Sequence, residues 1–352
     1  MNIKEYGFKD KLMENKKEGI PARIITTYRE RYEIVCDKGT GFARLKAGSY
    51  YDNPNSIYPT IGDFVLIEWN DTGDSRILET LPRRSSFLRS ESSGDRRFDL
   101  RKQHEQLVAA NFDYVFIMQS LNNDFNIHRI ERYLALSWQS GGIPVIVLTK
   151  CDLNEKYKEY ILEVETIAIG VDVYAISAKT GEGIDNLQKY FKPGNTLVFL
   201  GSSGVGKSTL VNALMKEEVM KTSEIREDDS RGRHTTTNRQ LLILPNGTMV
   251  IDTPGMRALG MWDVSSGLDK TFSDVEQYIG ECKYTNCTHT NEDGCKILEA
   301  ISNGELSEER YNSYMKLKNE ASYNNDTESY LREKNKKFKE IAKQNKNSFK
   351  KW

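Results

Sequence analysis

The segment Gly201–Ser208 constrains the fold of this chain more than any other feature. It reads Gly201, Ser202, Ser203, Gly204, Val205, Gly206, Lys207, Ser208, and Thr209 follows it. Glycines at these positions let a backbone wrap around phosphate groups, and the N–H groups of the loop and the following helix point at the anion. We expect Lys207 to reach the β- and γ-phosphates and Ser208 to bind Mg²⁺. The segment therefore predicts a phosphate-binding loop between a strand and a helix.

The chain around this loop alternates between apolar runs of strand length and helical patterns. The predicted strands are Tyr114–Met118, Ile143–Leu148, Val171–Ser177, Thr196–Leu200 and Met249–Ile251. The predicted helices are His128–Trp138, Glu155–Ile169, Ile184–Phe191 and Ser208–Met220. Alternation of this kind is typical of a parallel sheet with helices on both faces. The centre of the chain is therefore predicted to be an α/β domain.

Different patterns flank this centre on both sides. Between about Ile20 and Leu88, glycines separate short runs rich in β-branched and aromatic residues: Ala22–Thr27, Tyr32–Val35 and Asp63–Trp69. This favours a small β-barrel, either of the oligonucleotide/oligosaccharide-binding (OB) type or SH3-like. After Thr271 the sequence becomes helical and charged. We expect three domains: residues 1–90 (an extension and an OB-like barrel), 91–268 (the P-loop domain) and 269–352 (a mostly α metal-binding domain with a basic tail).

Composition and charge exclude several classes of protein. The 352 residues contain no apolar run of the roughly 20 residues that a membrane helix needs, and Met1–Leu12 is too charged for a signal peptide. Five cysteines, an odd number, argue against a disulfide framework. We therefore expect a cytoplasmic monomer with no membrane partner. Residues Arg332–Lys351 carry a net charge of +7 against −8 for the remainder, which suits an anionic partner such as RNA.

A second motif, Asp252-Thr-Pro-Gly255, ends the predicted strand Met249–Ile251. It lies 45 residues after Lys207. An acidic residue at the end of such a strand suits the Mg²⁺ side of a nucleotide switch. Gly255 can approach the γ-phosphate and lets the loop change conformation. Together with the P-loop, this motif predicts a site that responds to a nucleoside triphosphate.

Two shorter motifs point to the base of that nucleotide. Thr149, Lys150, Cys151 and Asp152 follow one predicted strand, and Ser177, Ala178 and Lys179 end another. A carboxylate at Asp152 can accept both N–H groups on one edge of guanine, which adenine does not offer, and the stem of Lys150 can cover the ring. The Ser177–Lys179 loop suits recognition of the guanine oxygen by backbone N–H groups. Thr149 replaces the commoner Asn, which leaves open how firmly this loop is tied to the P-loop.

The polar segment Ser223–Gln240 lies where the first switch of such a site belongs. One of Thr235, Thr236 and Thr237 is expected to contact Mg²⁺ and the γ-phosphate, and we favour Thr236. Met256 stands close after the Asp-Thr-Pro-Gly turn, where a water-orienting Gln is common, and it cannot orient water. His234 is the candidate substitute, because an imidazole can accept a hydrogen from water near neutral pH. A surface histidine in a loop is the alternative reading.

A Cys/His cluster follows the P-loop domain. Cys282, Cys287, His289 and Cys295 supply three thiolates and one imidazole within fourteen residues. This is the ligand set of a closed tetrahedral zinc site, and four protein ligands leave no open position. The cluster therefore predicts one structural Zn²⁺ that stabilises the C-terminal domain.

The order of these motifs is itself informative. The base-reading motifs precede the P-loop, and no second Asn/Thr-Lys-X-Asp follows Gly255. This is the order of the circularly permuted GTPases, and permutation is tolerated where chain termini lie close together at the surface.

A β-barrel, a permuted GTPase and a Cys₃His domain, in this order, resemble the ribosome small-subunit-dependent GTPase family (RsgA, also called YjeQ or YloQ). The segments Gly232–Thr237 and Ala109–Asp113 also look like that family. The resemblance covers about Ile20 to Glu309. It implies an OB-fold N-terminus, a late role in assembly of the 30S subunit with binding to its 16S rRNA, and weak GTPase activity that the subunit stimulates. It also supports His234 as a catalytic residue.

Three functions are consistent with these motifs. The first is a GTPase that acts as a ribosome-assembly switch, converting GTP to GDP and phosphate. The second is an RNA-binding assembly scaffold in which GTP only regulates docking. The third is a P-loop ATPase or kinase, against which Asp152 argues.

Overall fold

The structure is a computed structural model. It describes residues 2–13, 18–28, 31–50, 57–89, 106–122, 124–215, 217–218, 240–252 and 265–325. The chain divides into two compact units, Met1–Leu259 and Gly260–Trp352. The boundaries expected at residues 90 and 268 stay a prediction.

The first unit contains all the strands of the described chain. They are β1 (Ile20–Thr27), β2 (Tyr32–Cys36), β3 (Gly39–Leu45), β4 (Phe64–Glu68), β5 (Ser75–Thr80), β6 (Ser86–Arg89), β7 (Gln106–Ala110), β8 (Tyr114–Ser120), β9 (Ile143–Thr149), β10 (Asp172–Ile176), β11 (Thr196–Leu200), β12 (Gln240–Ile243) and β13 (Met249–Asp252). Its α-helices are α1 (Ala47–Tyr50), α2 (Ile127–Gln139), α3 (Tyr157–Ile167) and α4 (Lys207–Met215). Its 3₁₀ helices are Ile3–Tyr6, Asp10–Met13, Cys151–Leu153 and Ile184–Tyr190.

The first five strands form a closed barrel. Hydrogen bonding runs in the order β1-β2-β3-β5-β4, and β1 also pairs with β4, which closes the barrel. The β3–β5 pair is parallel, with Arg44 opposite Arg76, while the other pairs are antiparallel. This strand order is that of an OB barrel, and it decides between the two barrel types that the sequence left open. Apolar side chains such as Ile24, Ile34 and Ile67 fill the interior.

The α/β part of the unit is a sheet in the order β10-β9-β8-β11-β13-β12. All neighbouring pairs are parallel except β12–β13. The five strands predicted for this part are confirmed with small shifts in their bounds. The short strand β12 was not predicted, nor was the β6–β7 hairpin, and the segment Ile184–Tyr190 is 3₁₀ rather than α-helical.

The barrel and the α/β sheet are joined by backbone pairing and by one buried arginine. Strand β1 pairs with β12 through Thr26 and Gln240. Arg23, also on β1, is fully buried, and burial lowers its pKa to about 9. Its guanidinium donates to the hydroxyl of Thr196 at 3.0 Å and to the carbonyl of Asn111 at 3.1 Å. The contact between the barrel and the α/β sheet therefore has buried polar groups at its centre, and strand pairing continues from the barrel into the sheet.

The second unit is helical in its described part. Its helices are α5 (Ser265–Thr271), α6 (Ser273–Glu276), α7 (Lys296–Ser302) and α8 (Glu308–Asn325). Helix α8 packs on α5 and α6, with Phe272 and Tyr314 buried in edge-to-face contact at 5.5 Å between ring centroids. Arg310 is buried and bonds to Asp274 at 2.9 Å. The unit is small, so a bound metal would add substantially to its stability.

Among the described helices, none combines the length and the apolar character that are needed to span a membrane.

Candidate functional site

The P-loop segment connects β11 to α4, as the sequence predicts. The strand is buried along its whole length and delivers Gly201 to the carboxyl end of the sheet. A Cβ atom on Gly201 would lie 2.6 Å from the carbonyl oxygen of Met118, so a larger residue cannot fit there. Gly206 has φ of +100°, which favours glycine over other residues. Ser203 and Gly204 are exposed, and the loop forms a turn open to solvent that leads into a helix N-terminus.

The side chain of Lys207 lies along the inner side of this loop. Its Nζ donates to the carbonyl oxygens of Gly201 at 2.7 Å and of Ser202 at 3.1 Å. Ser208 and Thr209 follow in the first turn of α4 and are half-buried. The lysine, the loop and the helix start are therefore brought together in the arrangement that phosphate binding requires.

Thr149 ties the base-reading loop to the P-loop. Its hydroxyl, buried at the end of β9, donates to the carbonyl oxygen of Val205 at 2.6 Å. The sequence left this link open because Asn is commoner at the position. A threonine hydroxyl can make the link because β9 and the P-loop approach closely, with the Thr149 side chain 4.0 Å from the Cβ position of Gly206.

The two loops that are predicted to read the base lie next to each other. The parallel register of β9 and β10 places Ile176 opposite Thr149, so the residues that follow both strands leave the sheet at the same edge. Lys150 has φ of +61°, and this left-handed residue turns the chain into the 3₁₀ helix Cys151–Leu153, which exposes Asp152.

Within the second of these loops, Ser177 is buried and shapes a tight turn. Its Oγ accepts from the backbone N–H of Thr180 at 3.2 Å, and its carbonyl accepts from Gly181 at 2.9 Å. Ala178 is half-buried and Lys179 exposed. Beneath both loops, burial raises the pKa of the Cys151 thiol to about 11, with a further contribution from Glu182. The thiol therefore stays protonated at neutral pH.

The structure describes only part of the predicted switch machinery. Asp252 ends β13 with its backbone opposite Gln240, the first residue of β12. Gly255 and the switch residues His234, Thr235, Thr236 and Thr237 lie outside the described residues. Predictions for their roles therefore stay predictions.

One side chain at this site was missed by the sequence analysis. Asp124, in the loop after β8, accepts a hydrogen bond at 2.7 Å from the Oγ of Ser202 in the P-loop. The signal available in the sequence was the polar segment that follows the predicted strand Tyr114–Met118. Because β8 and β11 are parallel neighbours, that segment had to emerge beside the P-loop.

The Cys/His cluster of the second unit is a candidate metal centre. The donor atoms of Cys282, Cys287, His289 and Cys295 all lie within 4.8 Å of one another. The Nδ1 atom of His289 is 3.5 Å from the Sγ of Cys282 and 3.4 Å from that of Cys295. A tetrahedral ion with metal–sulfur bonds of about 2.3 Å needs ligand separations of roughly 3.5–4 Å. The printed separations lie in or close to this range and none of the others exceeds 4.8 Å, so the four residues could hold a metal ion.

Fold and site together define a circularly permuted P-loop GTPase. Residues 80–262 match the sequence model of the family described as RsgA GTPase. A Listeria innocua protein named small ribosomal subunit biogenesis GTPase RsgA 1 is 40% identical, over 97% of this chain and 96% of its own length. The chain belongs to the RsgA GTPase family and is a GTP-hydrolysing enzyme.

Two solved structures resemble the fold over most of the chain. The crystal structure of YjeQ from Thermotoga maritima matches with a TM-score of 0.64 and 27% identity, over 86% of this chain and 98% of that one. The crystal structure of YloQ, described as a circularly permuted GTPase, matches with a TM-score of 0.58 and 22% identity, over 89% of this chain and 98% of that one. The permuted order of motifs and the N-terminal barrel predicted from the sequence are thereby confirmed.

Proposed function

We propose that this GTPase is a late assembly factor of the small (30S) ribosomal subunit and that the subunit stimulates its GTP hydrolysis. The observation that carries the proposal is the meeting of the P-loop with two base-reading loops at one edge of the sheet. The chain that has this geometry is similar to a protein named small ribosomal subunit biogenesis GTPase RsgA 1. The protein is proposed to act in the cytoplasm as a monomer.

In the proposed nucleotide site, the P-loop residues Gly201–Thr209 hold the phosphates. Asp152 selects guanine, Lys150 covers the base, and the Ser177–Lys179 loop binds the guanine oxygen. Thr149 contributes through the P-loop rather than through the base. The GTPase family implies a Mg²⁺ requirement; Ser208, Thr236 and Asp252 are the proposed side chains around that ion, which offsets the negative charge of the phosphates when it is bound.

The selection of guanine can be tested by exchanging the base and the residue together. Guanine presents two N–H donors to Asp152, whereas xanthine has a carbonyl oxygen in place of the exocyclic amine. Asp152→Asn should therefore lose affinity for GTP and gain affinity for xanthosine triphosphate, measured by equilibrium binding. Asp172→Asn, an exposed acid at the other end of β10, is the control. Tighter binding of ATP than of GTP by the wild-type protein would refute the guanine assignment.

In the proposed catalytic step, His234 orients the attacking water, while Lys207 and Thr236 stabilise the negative charge that develops on the phosphate oxygens. A neutral imidazole has a ring nitrogen that can accept a hydrogen bond from the attacking water. His234→Ala should therefore lower turnover far more than GTP affinity. Unchanged turnover would remove His234 from the mechanism.

The ion proposed for the Cys/His cluster is a structural Zn²⁺. Three thiolates and one imidazole are the preferred ligands of zinc, and the backbone N–H of Lys296 donates to the Sγ of Cys282 at 3.4 Å, which stabilises that sulfur as a thiolate. The position of Nδ1 favours ligation through this nitrogen of His289. Metal analysis of the purified protein should give about one equivalent of zinc.

The barrel offers a surface suited to 16S rRNA. Arg31 stacks over the ring of Phe42 at 3.6 Å, and the carboxylate of Asp74 bonds to both Arg31 and Arg44. Arg76 lies opposite Arg44 across the β3–β5 pair and opposite Glu68 across the β4–β5 pair, so arginines and carboxylates alternate on this face. Arginine beside a half-buried aromatic ring such as that of Phe42 can bind phosphates and stack on bases.

The decisive experiment is multiple-turnover GTP hydrolysis with and without purified 30S subunits. Stimulation by 30S but not by 50S subunits is the expected result, and Lys207→Ala should remove the activity in both conditions. Binding to 30S subunits without stimulated turnover would favour the alternative in which the protein is an RNA-binding scaffold and GTP only regulates docking. Neither binding nor stimulation would overturn the proposed partner.

A further inference from the structure

The loop between β8 and α2 holds one carboxylate against the P-loop. Asp124 accepts from Arg129 through both oxygens, at 2.8 Å and 3.2 Å. Its backbone carbonyl accepts at 2.5 Å from the side-chain amide of Gln119, which is buried at the end of β8. Its backbone N–H donates to Asn122 at 3.1 Å. The backbone and the side chain of Asp124 are thus both fixed by neighbouring elements.

This fixed carboxylate bonds to the part of the P-loop that contacts the lysine. The Oδ2 atom of Asp124 accepts from the Oγ of Ser202 at 2.7 Å. The carbonyls of Ser202 and of the preceding Gly201 accept from Lys207. The orientation of Ser202 therefore determines where one acceptor for the lysine points.

A negatively charged carboxylate beside a phosphate-binding loop should repel the phosphates of a bound nucleotide. A triphosphate is strongly negative, and repulsion between like charges extends over a Debye length of about 8 Å at physiological salt. Arg129 neutralises Asp124 through its two-pronged contact, and hydrogen bonding to Asp124 raises the pKa of Arg129 above its usual value. The pair can thus hold Ser202 without opposing the nucleotide.

We propose that Asp124, neutralised by Arg129, is a positioning residue that holds the P-loop in its nucleotide-binding form. Its role is to fix Ser202, and Arg129 makes a carboxylate acceptable at this place. The inference rests on the proposed binding of nucleotide phosphates at Gly201–Ser208. Binding of fluorescent GDP to the wild-type protein tests that premise separately, before any variant is compared.

The test separates the hydrogen bond from the charge. Ser202→Ala removes the hydrogen bond without changing charge, and GDP should dissociate about fivefold faster, because a partly exposed hydrogen bond to a charged group has a modest effect. Arg129→Gln leaves the carboxylate without its guanidinium, so GTP affinity should fall, and the deficit should shrink as salt is raised. In D124N/R129Q the like charge is gone, and affinity should recover towards the wild-type value.

A matched control uses a second ion pair in the same unit. Lys189 pairs with Asp172 at 2.8 Å, at the amino end of β10 and away from the P-loop edge. Lys189→Gln also removes the cation beside a carboxylate, to which Tyr190 still donates, and it should not change nucleotide affinity. Thermal unfolding of every variant distinguishes loss of the fold from loss of the site.

Two results would overturn the proposal. One is a Ser202→Ala variant with an unchanged GDP dissociation rate. The other is an Arg129→Gln deficit that neither salt nor the added Asp124→Asn change relieves, because a purely structural role of Arg129 predicts that the double variant is no better than the single one. A folded double variant keeps the test valid even if Arg129→Gln alone is unstable.

Discussion

At the scale of single residues, the hydroxyl of Thr149 makes the hydrogen bond to the P-loop at a position where Asn is commoner. Thr149→Val retains the shape of the side chain and removes the hydroxyl that donates to Val205. The buried carbonyl then lacks this donor, which costs about 1–2 kcal/mol, or roughly tenfold in an equilibrium constant. We expect guanine-nucleotide affinity to fall by up to that factor, measured by fluorescence titration. Thr149→Ser keeps a hydroxyl and is the control; equal affinity for all three proteins would contradict the link.

The same residue marks a limit of prediction from sequence. The residues from Thr149 to Asp152 predict a guanine-binding loop, because the whole motif lies within a few residues of the end of a predicted strand. The partner Val205 lies 56 residues further along the chain. Whether a threonine reaches it depends on the register of β9 against its neighbours, which no local pattern contains. Asp124 was missed for the same reason, since its partner Ser202 is 78 residues away.

At the scale of elements, the predictable ones were long or were marked by a motif. Strands β8, β9 and β11 are apolar runs buried on both faces, and the sequence located each of them. Strand β12 has four residues with a mixed burial pattern, and Gln240 was assigned to the switch segment. Short strands of this kind form because a neighbour is present, here β13 and β1. Their existence follows from tertiary contacts rather than from local preference.

The metal-binding segment between Cys282 and Cys295 is an element that we expect to depend on its ion. It contains turns and bends but no helix or strand in the structure, and two of its residues, His289 and Gly294, have positive φ. Its backbone hydrogen bonds are made mostly within the segment, including three from backbone N–H groups to the carboxylate of Glu292, so they depend on the segment keeping its shape. Chelation of the metal from the full chain should raise amide hydrogen exchange in this segment and in α7.

The control for chelation lies within the same molecule. Peptides from β8 and β11, in the other unit, should keep their protection, because their hydrogen bonds are made within a buried sheet. Re-addition of Zn²⁺ should restore slow exchange in the metal-binding segment. Unchanged exchange after complete metal removal would show that the segment is held by protein contacts alone.

At the scale of the whole molecule, the barrel and the GTPase sheet behave as one unit because they share a buried joint. Arg23 donates to five groups from different parts of the chain, including the carbonyl of Tyr6 at 2.6 Å and that of Gly62 at 3.2 Å. Residues 2–13, outside the barrel itself, are thereby connected to the strands that precede the nucleotide loops. A Cβ atom on Gly62 would lie 2.1 Å from the carbonyl oxygen of Ala110, so the two backbones meet without space for a side chain.

Arg23→Ala should therefore separate parts that unfold together in the wild-type protein. The change leaves several buried acceptors without this donor and opens a cavity, and each unsatisfied group costs about 1–3 kcal/mol. We expect hydrogen exchange in the barrel strands and in β11 to become uncoupled, with the midpoint of denaturant unfolding lowered. Arg23→Met, which fills most of the volume and removes the costly buried charge, should be less harmful than Arg23→Ala.

The control for loss of charge is Arg76→Ala, which changes an exposed arginine on β5 of the same barrel. If Arg23→Ala unfolds in one transition at the wild-type midpoint, the backbone pairing of β1 with β12 is sufficient to join the two folds, and the arginine is not needed for it.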